Sequence, residues 1–147
     1  MDKTDIDSMQ QTNESDLKSQ LQEILGGIIA TLDIYEVIDN GDTYDIVNLK
    51  NNDIMCEDIH LNVVANIVAA AMNTGEELNI SSIDKILQTE KYAVSKMVEV
   101  KIYEELTENV TDFDKQTIYE TKLTEAEHKS QNAINNLLSQ CQLLISL

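Results

Sequence analysis

The residue types that could do chemistry in this chain are few, so their spacing comes first. Glu-x-x-His occurs twice, as Glu57 to His60 and as Glu125 to His128. On a helix, positions i and i+3 share a face, and carboxylate-bridged di-iron bundles present one Glu and one His this way from each of two helices. The first copy fails that geometry, because Glu57 falls at a strand end and His60 at a helix start. The second lies in a run of Glu, Lys and Gln that reads as a solvated face. Both pairs read as surface residues, and neither a metal nor a cofactor is expected.

Cys56 and His60 would pair a thiol with a base, but no third group orients them. A lone Cys in a strand reads as a small buried hydrophobe. Asp39-Asn40-Gly41-Asp42 resembles a fragment of a calcium loop without its 12-residue ligand register or terminal Glu. Asn40-Gly41 is better explained as a tight hairpin turn. Gly26-Gly27 lacks the spacing of a phosphate loop after a strand. No catalytic residue is assigned, and an enzyme is not expected.

Composition narrows the remaining classes. At 147 residues the chain suits one folded unit, and with 4% aromatics, one Phe and no Trp its core must be built from Ile, Leu, Val, Ala and Met. There are 27 acidic and 10 basic residues, a net charge of -17, and every basic residue is Lys. Without Arg there is no planar fork to read guanine or phosphate bidentately, which argues against direct nucleic-acid binding. Anionic membranes would repel the same charge, and no apolar run is long enough to span a bilayer. Divided at residues 33 and 75, the charge is spread evenly, about -5, -6 and -6, as on a solubilising surface. Cys56 and Cys141 read as reduced thiols, and Met1 to Ser15 lacks the basic and apolar regions of a signal peptide. The expected setting is a host cytoplasm or a virion rather than secretion.

Hydrophobic period supplies the elements. Residues 1–15 hold almost no apolar side chains and predict a disordered acidic tail. Residues 16–33 predict a helix capped by Ser15 and striped by Leu17, Leu21, Ile24, Leu25, Ile28, Ile29 and Leu32. Gly26-Gly27 costs it roughly 2 kcal/mol, so the helix must kink, stop, or meet another backbone there. Residues 34–75 predict a β-β-β-α module: a three-stranded antiparallel meander covered by a helix with Asp58 as its cap and Leu61, Val64, Ala65, Val68, Ala71 and Met72 on one stripe. Residues 81–147 predict a long antiparallel helical hairpin, with caps at Ser81 or Ser82 and at Thr111. The fold class is therefore α+β, dominated by helices. The chain's end, with Leu137, Leu138, Leu143, Leu144, Ile145 and Leu147, is more apolar than one partner helix needs. Leu137, Leu138, Leu144 and Ile145 are the expected self-association surface of a homo-oligomer.

Three strands followed by a helix also outline small DNA-reading modules, but those carry basic and aromatic residues on the sheet, where this chain has Glu36, Asp39, Asp42, Asp45 and Asp53. Tyr44 to Val47, the Ala- and Val-rich stretch Leu61 to Gly75 ending in Asn73-Thr74-Gly75, and the hairpin Ser81 to Gln142 together resemble small uncharacterised proteins of T4-like marine and cyanobacterial phages. The resemblance covers most of the chain and implies a phage origin. It carries over no activity and no functional residue. The expected function is a non-enzymatic structural or interaction protein, a virion or assembly component, self-associating through helical surfaces. The alternative is an acidic DNA mimic that inhibits a host or defence protein.

Overall fold

The computed structural model describes residues 14–145, so the expected tail, apart from its last two positions, and the terminal Leu147 lie outside the described residues. Helix α1 (Glu14–Gly26) buries Leu17, Leu21 and Ile24, the i, i+4, i+7 face its sequence marks out. It does not run on to residue 33. At the glycine pair the backbone tightens, with Gly27 N donating to Ile24 O (3.1 Å) and Ile28 N to Leu25 O (3.1 Å), and the chain leaves extended. Ile29 consequently points to solvent. The freed segment is held by its neighbours instead, through Thr31 N and Leu32 N on the carbonyl of Asn73 (3.1 and 2.8 Å).

The meander forms as expected, with β1 (Tyr35–Asp39), β2 (Tyr44–Asn48) and β3 (Ile54–Ile59) antiparallel in the order β1-β2-β3. Gly41 takes a φ of 103° in the first turn, which a side chain would strain, and Asp39 Oδ1 accepts from Gly41 N at 2.8 Å. Val37 pairs with Ile46 and Ile46 with Cys56, so one face of the sheet is apolar. Helix α2 (Asn62–Met72) covers that face and buries seven of its eleven residues. Its alanines let it sit close.

Helices α3 (Ile80–Asn109) and α4 (Phe113–Ile145) form the antiparallel hairpin. At 30 and 33 residues they run about 45–50 Å. One continuous core joins Leu17 and Leu21, Ile46 and Ile59, Val64, Ile67 and Val68, and the near ends of the hairpin through Ile86, Ile134, Leu137 and Cys141.

The expected caps move by one to three residues. Asn79, not Ser81 or Ser82, caps α3 by accepting from Ser81 N (2.8 Å), and Asp112, not Thr111, accepts from Asp114 N (2.9 Å) before α4. Asp58 does not cap α2. It adopts a φ of 57° inside β3, one residue before the strand's end, and the helix starts after Leu61 without a side-chain cap of its own.

Candidate functional site

The residues with chemical potential are placed apart. Glu57 and His60 are exposed at and just beyond the end of β3, and Glu125 and His128 are exposed on α4. Among the described residues, no group of three or more His, Cys, Asp or Glu is gathered where it could hold a metal ion. Cys56 faces the core, and burial, aided by the charge of Asp84, pushes its thiol up to about 11. A nucleophilic cysteine needs the opposite shift. Burial, aided by the charge of Glu90, pushes Cys141 up to about 12. The carboxylate of Asp39 is engaged by the turn it closes.

Two buried polar side chains were missed by the sequence reading, and both hold backbone. Asn73, at the end of α2, treats β1 as a strand partner would: its Oδ1 accepts from Ile34 N and Tyr35 N (both 3.0 Å), and its Nδ2 donates to Tyr35 O (2.9 Å). Glu90 of α3 is fully buried, and its two oxygens accept from His60 N (2.9 Å) and Leu61 N (3.1 Å). It thereby supplies, from another helix, the anionic end group that α2 lacks. Burial pushes its carboxyl above the ordinary 4.5, while the two backbone donors and the charges of His60 and Lys91 pull the other way. A signal for Glu90 was present, because it falls in the 3-4 stripe Ile83, Ile86, Glu90, Ala93, Met97. A charge at a core position of such a stripe marks a buried acceptor.

Of the carboxyl-terminal leucines, Leu143 is exposed and the others described are covered. Leu137 and Leu144 are buried within the chain's own core and Leu138 packs half-buried against it, while the side chain of Ile145 lies outside the described residues. The reason is that α4 has more than one partner: α1 and α2 both pack on it as well as α3. Leu137 and Leu144 therefore contribute almost nothing to the exposed surface of a single chain. No protein-family model, curated protein or solved structure matches this chain.

Apolar side chains are uncovered on the body, as at Ile29, Ile54, Ile80 and Leu143, and also in a row at the other end of the hairpin. No residue from Val94 to Glu125 is buried. On α3, Val98, Ile102 and Leu106 repeat every four residues and stay 50%, 49% and 38% exposed, and Phe113 and Ile118 at the start of α4 are 78% and 53% exposed. This arm also differs in charge. Residues 91–129 hold six of the ten lysines and carry a net charge of -3, whereas residues 1–90 carry -14. The even distribution read from segments divided at residues 33 and 75 hides that division, because the last segment joins the arm to Glu76, Glu77, Asp84 and Glu90. Among the described residues no helix is long and apolar enough to cross a membrane.

Proposed function

We propose that this chain is a non-enzymatic interaction or structural protein that self-associates through a helical surface, with the projecting arm as that surface. The supporting observation is the row Val98, Ile102 and Leu106, half-exposed on a hairpin whose distal part has no cover from the body. Single exposed apolar residues are ordinary, but a row at helical spacing on an uncovered arm is the pattern of a helix that packs on another. In the phage setting that the resemblance implies, a virion or assembly component is the role that fits.

The test is molar mass in solution by light scattering. The unaltered chain is expected to exceed 16.5 kDa, and Val98→Lys with Ile102→Lys to return it to that value without loss of helix by circular dichroism. A single-chain mass for the unaltered protein at every concentration rejects the reading.

The acidic body supports a second reading, the DNA mimic. Glu36, Asp39, Asp42, Asp53, Glu57 and Asp58 are all exposed around the sheet. A mimic would bind a basic protein at low salt and release it steeply as salt is added.

A further inference from the structure

We infer that the occupant of the arm's α3 face is the same face of a second copy, laid antiparallel so that a two-fold axis passes by Ile102. This rests on the self-association reading and adds the partner and its orientation. The row is symmetric about its centre, with Val98 and Leu106 each four residues from Ile102. Laid antiparallel, Ile102 meets its own equivalent and Val98 meets Leu106 of the second copy, as the self-complementary patch of a two-fold dimer requires.

Charge points the same way. The orientation separates the bodies. Parallel arms would bring two bodies side by side, each carrying -12 over residues 14–90, whereas antiparallel arms carry them to opposite ends, beyond a Debye length of about 8 Å. A basic partner would be drawn to the body instead of to this nearly balanced arm.

Disulfide trapping tests the arrangement, and the native thiols do not confuse it because Cys56 and Cys141 are both buried. Ile102→Cys is expected to form a covalent dimer of twice 16.5 kDa under mild oxidation, while Glu120→Cys, exposed on α4, stays monomeric in the same time. A mixture of Val98→Cys and Leu106→Cys chains is expected to cross-link faster than either alone. If light scattering shows a dimer but Val98→Cys couples to itself as fast as to Leu106→Cys, the antiparallel arrangement is overturned and self-association stands. If the unaltered chain has the mass of one copy throughout, both fail.

Discussion

Glu90 is the residue on which the joint between sheet and hairpin depends. Its carboxylate satisfies the amides of His60 and Leu61, so Glu90→Ala strands two donors and is expected to cost about 2–4 kcal/mol. Glu90→Gln tests the charge itself. Because burial raises the folded carboxyl above 4.5, the fold prefers the protonated form. The stability that preference contributes is complete below 4.5 and is lost as pH rises through the raised folded value. Gln does not titrate. Denaturation midpoints compared upward from pH 4.5 are therefore expected to shift in favour of Glu90→Gln, and a gap that is constant or widens toward the unaltered chain contradicts the assignment.

At the scale of elements, glycines separate what sterics dictates from what packing dictates. A Cβ on Gly26 would meet nothing within 4 Å, so Gly26→Ala is expected to stabilise by about 0.5–1 kcal/mol through the unfolded chain. Gly75 holds a φ of 83° after α2 with Leu32 Cδ1 3.4 Å from where its Cβ would stand, so Gly75→Ala is expected to destabilise by about 1 kcal/mol or more. Urea titration of the two variants reads both signs. The same contrast explains how much of the fold was legible. The meander, α2 and the hairpin rest on periodicity and an Asn-Gly turn, which are local signals, and they form where the sequence places them. The end of α1 was less legible because Ile28, Ile29 and Leu32 continue a helical stripe, and only a tertiary tie to the carbonyl of Asn73 reveals the extended path. The caps failed for a related reason. Several Ser, Thr, Asn and Asp candidates stand within three residues of the starts of α3 and α4, and neighbouring elements choose among them. The burial of Leu137 and Leu144 was not legible because counting apolar residues near the chain's end cannot tell how many helices converge on them.

The whole molecule is an acidic body with a two-helix arm, and the two parts differ in how tightly they are held. Every fully enclosed apolar side chain on α3 precedes Val94, and those on α4 begin at Ala126. Backbone amides between those limits are therefore expected to exchange with solvent faster than amides of α2, by hydrogen-exchange mass spectrometry. If copies pair through the arm, protection there is expected to grow with protein concentration while α2 stays unchanged. Uniform protection along both helices of a dilute monomer would contradict the division.

That division also has a mechanical side. Each helix of the hairpin runs unbroken from tip to core, and α3 is clasped at Glu90 by the link between β3 and α2. Sideways load at the tip that reaches Glu90 along α3 therefore passes through the amides of His60 and Leu61 to the link between sheet and α2.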